Sequence, residues 1–204
     1  MHPLRSFLFA PGNHPRKVEK VFQVGADVVI LDLEDAVAIT EKPATRATIV
    51  DALKKKHRGL GYVRINSLDT EFAWGDFAGV VGAWVDGIVL PKVETADQLQ
   101  TADWVLAQLE RGNGMEIGSI DLLPIIETGL GLHNIEAITM AGTRIKRVSF
   151  GAGDFTRDMN LVWTGPEQEL AYARSRIVLA SRAAGIESPI DSVFIDLKDR
   201  EHRE

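Results

Sequence analysis

The chain of 204 residues contains no cysteine, which excludes disulfides, thiolate metal sites and a cysteine nucleophile and fits a cytoplasmic protein. It has no run near the roughly 20 apolar residues needed to span a bilayer. The apolar stretch Ser6-Phe7-Leu8-Phe9-Ala10 is broken by Pro11-Gly12 and is too short for the core of a secretion signal. None of the five histidines falls in H-x-H or H-E-x-x-H spacing, which argues against a zinc hydrolase. A Walker loop and a G-x-S-x-G elbow are also missing. The formal net charge of −6 speaks against a nonspecific nucleic-acid binder. No proline- or serine-rich linker divides the sequence, so residues 1–204 read as one domain without a nucleic-acid or membrane partner.

What the sequence has is alternation. Short apolar, β-branched runs fall near residues 5–9, 27–33, 61–65, 87–90, 121–126, 147–150 and 189–194. Helical patterns lie between them near 15–24, 41–56, 70–85, 95–111, 132–141 and 166–184, with Gly25 and Gly185 as stops for the first and last. Strands such as Val28-Val29-Ile30-Leu31 are apolar on both faces and suit a parallel sheet covered by helices. A doubly wound sheet that binds a dinucleotide carries G-x-G-x-x-G after its first strand, whereas this chain has Ala10-Pro11-Gly12-Asn13. The expected fold is therefore α/β, a TIM (β/α)8-type barrel. Seven strands are expected, and the eighth βα unit of the closed barrel is lacking.

In such a barrel the strand ends at the C-terminal mouth carry the chemistry. Glu127 follows Leu122-Leu123-Pro124-Ile125-Ile126, and Asp154 follows Val148-Ser149-Phe150-Gly151-Ala152-Gly153. Two convergent carboxylates make a site for Mg²⁺, which keeps several waters and takes few protein ligands. The alternative for each is a helix N-cap, although Thr128 and Thr156 could serve there equally well. The second strand ends in three acids, Asp32, Glu34 and Asp35, which repel one another unless cations or a metal offset them. Asp32 alone reads equally well as the cap of a solvated turn. Arg64 stands amid apolar residues and needs a partner, either a ligand carboxylate or enolate oxygen, or an ion pair with Glu34 or Asp35. Lys92 is open between a surface lysine in a capping turn and a Schiff-base nucleophile.

The segments Arg5-Ser6-Phe7-Leu8-Phe9-Ala10-Pro11-Gly12, Val29-Ile30-Leu31-Asp32-Leu33-Glu34-Asp35-Ala36-Val37 with Lys42 and Arg46 after it, Val63-Arg64-Ile65-Asn66, Leu90-Pro91-Lys92, Ile126-Glu127-Thr128 and Gly151-Ala152-Gly153-Asp154-Phe155 occur in one order along nearly the whole chain. In this the sequence resembles the citrate lyase β-subunit-like proteins of the HpcH/HpaI aldolase and citrate lyase superfamily. The resemblance implies Mg²⁺-dependent cleavage of a 3-hydroxyacyl thioester of coenzyme A, of the citryl-, citramalyl- or malyl-CoA type, to acetyl-CoA and a keto acid. It makes Glu127 and Asp154 the metal ligands, Arg64 and Glu127 the substrate contacts, and Arg16, Lys42 and Arg46 candidates for the CoA phosphates. Glu34 and Asp35 would support that constellation from behind. Where many relatives have a glutamate before the metal-binding aspartate, this chain has Gly153. Such proteins normally continue past Asp199 into the closing unit and work as homo-oligomers, trimers or hexamers, so a shortened form of a longer protein is expected. A class II pyruvate aldolase of the same superfamily and a noncatalytic subunit that binds CoA and metal are the alternatives; a His after the acid in the second motif, typical of the aldolases, is missing here.

Overall fold

The structure, a computed structural model, describes residues 4–193. Six strands pair in chain order into one parallel sheet: β1 (Phe7–Pro11), β2 (Val28–Asp32), β3 (Leu60–Arg64), β4 (Gly87–Leu90), β5 (Asp121–Ile126) and β6 (Ser149–Phe150). The run at 189–194 contributes a single parallel bridge, Ile190 to Ser149, and its last residue lies outside the described ones. Thus six strands and a bridge stand where seven strands were expected.

The side-chain period of two explains how the sheet has two apolar faces. Val29, Leu31, Val63, Ile65, Ile88, Leu90, Leu122 and Ile126 point outward into the large core beneath the helices. Val28, Ile30, Tyr62, Val89, Leu123 and Ile125 point the other way and form a smaller cluster joined by Phe7 from β1 and by Ile190. Residues from opposite ends of the strand order meet on that face because the sheet curls. Continuing the same alternation to the strand ends sends Asp32, Arg64 and Glu127 inward at the mouth, the arrangement that the site is built on.

The helices follow local chemistry. α1 (Pro15–Val21) and α2 (Lys42–Leu53) begin with proline in the first turn, where its missing N–H costs nothing. Next come α3 (Ala73–Val80) and α4 (Ala96–Gly112), the latter opened by a capping box in which Thr95 and Gln98 bond each other's backbone N–H. The helix expected at 132–141 is two short ones, α5 (Gly129–His133) and α6 (Ile135–Thr139). An unexpected α7 (Ala152–Asp158) starts directly after β6, with Gly151 as its N-cap. α8 (Ala171–Ala183) follows a 3₁₀ turn at Gln168–Leu170. Among the described residues no helix is long and apolar enough to cross a membrane.

Gly87 shows how tightly the inner face is filled. A Cβ there would lie 2.5 Å from Cε2 of Tyr62, whose hydroxyl is anchored on Asp121 at 2.6 Å and cannot give way. Gly87→Ala is expected to cost about 1–3 kcal/mol of stability, read as a lower urea midpoint at unchanged m; an unchanged midpoint would contradict this packing.

Candidate active site

The mouth is a cavity of about 500 Å³ whose lining includes Phe9, Ile30, Asp32, Arg64, Glu127 and Asp154. Asp32 and Arg64 are register partners on β2 and β3. Arg64 donates from Nε to Asp32 Oδ1 at 2.7 Å and from a terminal nitrogen to Oδ2 at 2.6 Å, a two-pronged fork. Its guanidinium carbon lies 5.1 Å from the centre of the Phe9 ring. Burial pushes the Asp32 carboxyl up, but the Arg64 fork, together with the backbone N–H groups of Glu34 and Ala36, holds it below its ordinary value. Arg64 is held protonated by the same pair against its own desolvation. Asp32 is therefore buried in an ion pair and also caps the turn after β2 through the Glu34 and Ala36 N–H groups; the turn cap is present, and it is buried where a solvated one was expected.

Glu34 lies behind this pair. Its Oε2 is 3.1 Å from the remaining Arg64 nitrogen but accepts no hydrogen bond among the described residues, while its Oε1 takes one from Lys92 Nζ at 2.5 Å. Burial raises the Glu34 pKa, with Arg64 and Lys92 opposing. Lys92 also donates its backbone N–H to Glu127 Oε1 at 2.8 Å, and it does so from a left-handed backbone with φ of 52°. Desolvation of its ammonium is outweighed by Glu34, so its pKa rises. A Schiff-base nucleophile needs the neutral amine, and this environment works against it. Asp35 is exposed, 3.7 Å from Lys92 Nζ.

Glu127 and Asp154 face the cavity as the residual charges. Glu127 is buried, and Lys92 N–H is its one hydrogen-bond donor among the described residues. Burial, reinforced by the charges of Glu34 and Asp154, pushes its carboxyl up to about 8. Neither acid caps a helix: Thr128 caps α5 and Gly151 precedes α7, whose first turn contains Asp154. Gly151 is required beside them, because a Cβ there would collide with Glu127 Oε2 and lie 2.7 Å from its Cβ. Among the described residues Asp154 has one ion pair, with the exposed Arg157 at 3.7 Å, and its charge also acts on Lys92 and Glu127. Asp32 is matched by Arg64 and Glu34 by Lys92, which leaves the buried Glu127 and the half-buried Asp154 on the cavity with no cationic hydrogen-bond donor among the described residues, a setting that suits a divalent cation. Among the described residues no three His, Cys, Asp or Glu side chains converge on a metal-sized site. A Mg²⁺ that keeps several waters takes few protein ligands, so two carboxyl groups on one cavity are compatible with it.

The three phosphate candidates separate. Arg16 is exposed in the first turn of α1. Lys42 is buried, and its ammonium donates to Leu33 O (2.9 Å), Glu34 O (2.6 Å) and Asn66 Oδ1 (2.6 Å), one acceptor for each proton. Arg46 donates to Asp76 Oδ1 at 2.8 Å and to Phe72 O at 3.2 Å. Asp76 in turn accepts from Asn66 N and Nδ2. The structure thus gives Lys42 and Arg46 internal work, tying the turns after β2 and β3 together, where free cationic ends were expected. Asn66 entered the sequence analysis only as part of the segment Val63-Arg64-Ile65-Asn66, and Asp76 not at all; an aspartate within the apolar run Ala73-Trp74-Gly75-Asp76-Phe77 was the available signal.

The model of the HpcH/HpaI aldolase/citrate lyase family matches residues 5–203. The chain belongs to this family. It is 39% identical over 199 residues to the citrate lyase subunit beta of Leuconostoc mesenteroides subsp. cremoris, covering 97% of this chain and 66% of that one. To the L-malyl-CoA/beta-methylmalyl-CoA lyase of Cereibacter sphaeroides it is 35% identical over 221 residues, covering 98% of this chain and 69% of the relative. A crystal structure of the protein CitE from Mycobacterium tuberculosis with magnesium, acetoacetate and coenzyme A superposes with a TM-score of 0.75 at 29% identity, covering 96% of this chain and 67% of that one. The chain spans about two thirds of the length of the curated relatives it matches.

Lys42→Met keeps the apolar stem and removes all three donors from buried acceptors. It is expected to cost about 2–3 kcal/mol, measured by urea unfolding; a chain as stable as the parent would show that this ammonium does not anchor the two turns.

Proposed function

We propose that this chain carries the catalytic site of a Mg²⁺-dependent carbon–carbon lyase that cleaves a citryl-, citramalyl- or malyl-CoA-type thioester to acetyl-CoA and a keto acid. The observation that carries the reading is the pair of carboxyl groups, Glu127 and Asp154, on the same cavity as a guanidinium already oriented by Asp32. The relatives that are citrate lyase β subunits and malyl-CoA lyases support it. In this reading the curled sheet is the greater part of a single-domain (β/α)8-type barrel in a cytoplasmic homo-oligomer.

Glu127 and Asp154 would hold the ion, which when bound supplies a Lewis acid next to the substrate's oxygens. Arg64 would bind the acid half of the substrate and offset the negative charge that develops as the carbon–carbon bond breaks; its planar fork, fixed by Asp32, needs no reorganisation to do so. The apolar walls, Phe9, Ile30 and Ile125, keep the reacting centre poor in water. Because Lys42 and Arg46 are engaged internally, a CoA arm would meet Arg16 among the three cations named for it. The same engagement favours a second reading, a class II aldolase acting on pyruvate and an aldehyde without CoA.

Assays with the three thioesters, and separately with pyruvate and an aldehyde, decide between the two. Thioester cleavage that EDTA abolishes, Mg²⁺ restores and Glu127→Gln lowers by about 10²-fold or more supports the lyase. Turnover of pyruvate and aldehyde alone supports the aldolase, and metal-dependent CoA binding without turnover supports a noncatalytic subunit.

A pH dependence follows from Glu127. Its folded pKa of about 8 lies above the ordinary 4.5, so its ionisation opposes folding. The metal-free protein therefore loses this contribution to stability as pH rises from about 4.5 through about 8. Mg²⁺ needs the ionised form. The rise in Tm on adding Mg²⁺ is accordingly expected to grow with pH up to about 8 and then level off, and a shift independent of pH between 6 and 9 would remove Glu127 as a ligand.

A further inference from the structure

Lys92 holds a backbone conformation that glycine adopts freely and a lysine adopts only under strain. Two contacts need that geometry. The left-handed turn directs the Lys92 N–H at Glu127 Oε1, and the side chain reaches Glu34 Oε1. Glycine would preserve the first contact without strain, so the ammonium is what the strain retains.

The use of that ammonium follows from Arg64. Asp32 occupies one edge of the guanidinium through Nε and one terminal nitrogen. The other terminal nitrogen lies 3.1 Å from Glu34 Oε2, yet the two are not hydrogen-bonded. A buried carboxylate oxygen with no donor among the described residues, beside a guanidinium whose remaining N–H groups have no acceptor among them, is drawn to rotate onto those N–H groups. The 2.5 Å contact to Lys92 on its other oxygen opposes that rotation.

We propose that Lys92 is a positioning residue whose ammonium holds Glu34 off the free edge of Arg64, leaving that edge open to an anionic oxygen of the substrate. The inference rests on the functional reading above, in which Arg64 binds the acid half of the substrate. Lys92 touches no reacting atom in this scheme. It acts through Glu34, and removing the Glu34 charge should therefore remove the need for Lys92.

Calorimetric titration of the full chain with oxaloacetate in saturating Mg²⁺ tests this without requiring turnover. Lys92→Met is expected to weaken oxaloacetate binding by about tenfold or more, and Lys92→Gly, which relieves the backbone, to weaken it similarly. Binding of Mn²⁺, followed by its spin-resonance signal, should stay within about threefold of the parent, since the N–H to Glu127 remains. The double variant Lys92→Met/Glu34→Gln should return to within about threefold of Glu34→Gln alone. Unchanged oxaloacetate affinity in Lys92→Met and Lys92→Gly overturns the proposal, as does a double variant no better than Lys92→Met. If the parent chain binds no oxaloacetate, the same titrations are run with pyruvate and glyoxylate, the keto acids of the citramalyl- and malyl-CoA types; binding of none of the three defeats the functional reading and this inference with it, and parent binding of any one with insensitive Lys92 variants defeats the inference alone.

Discussion

At the mouth of the sheet, the guanidinium of Arg64 is held in plane by Asp32, its register partner on the neighbouring strand. Neither group tolerates loss of the other, since an uncompensated buried charge costs about 3–5 kcal/mol. The pair exists because period-two alternation turns both residues inward after the apolar positions Ile30 and Tyr62 have built the inner cluster. It closes the turn after β2 by accepting from Glu34 and Ala36 N–H, and it sets the direction of the cation that faces the cavity. Phe9, Glu34 and Lys92 are arranged around that fixed plane.

A fixed cation determines what the remaining acids can do. Asp32 is neutralised by it, and Glu34 is shared with Lys92, so the cost of burying Glu127 and Asp154 falls on whatever enters the cavity. Burial keeps Glu127 protonated below about pH 8 in the empty protein, and a cation entering the cavity would favour its ionised form. Behind it, the chain of contacts from Arg46 through Asp76 and Asn66 to Lys42 uses cations for rigidity. Lysine and arginine thus have two separate tasks within a few residues of one another, orientation of the acids that line the cavity and anchorage of the loops that carry them.

Which of these tasks a residue performs was only partly legible in the sequence. Strand positions were, because apolar β-branched runs have few other uses, and β4 and β5 coincide with their expected bounds. Glu127, Asp154 and Arg64 stood out because charge at the end of an apolar run is costly and local, and the structure sets all three on one cavity. Lys42 and Arg46 did not reveal their partners, which lie 8–30 residues away along the chain. α7 was hidden because Gly151-Ala152-Gly153 reads as a turn. Gly151 is there for its close approach to Glu127, and the helix begins at the next residue. Of the described part of the run at 189–194, Ile190 makes the ladder hydrogen bonds, with Val148 and Phe150, so a single bridge stands there where a strand was expected.

The two ends of the curled sheet make the contrast in design explicit. At the N-terminal end, Asp121 is as deeply buried as Glu127, yet it accepts from Tyr62 OH at 2.6 Å and from Arg147 at 2.8 Å, and Arg147 is also bonded to Glu187 at 2.7 Å. Every strong charge there is answered by a partner from the chain itself, and the cluster behaves as a structural clasp between β3, β5 and the segment after α8. At the C-terminal end Glu127 receives one backbone donor, Glu34 keeps an unbonded oxygen, and Lys92 is held in a strained backbone. The same chemistry, a carboxylate at the end of a parallel strand, is satisfied at one end and left in deficit at the other. Fold stability alone would favour satisfying both, and the deficit at the mouth is what the proposed cation and substrate would offset.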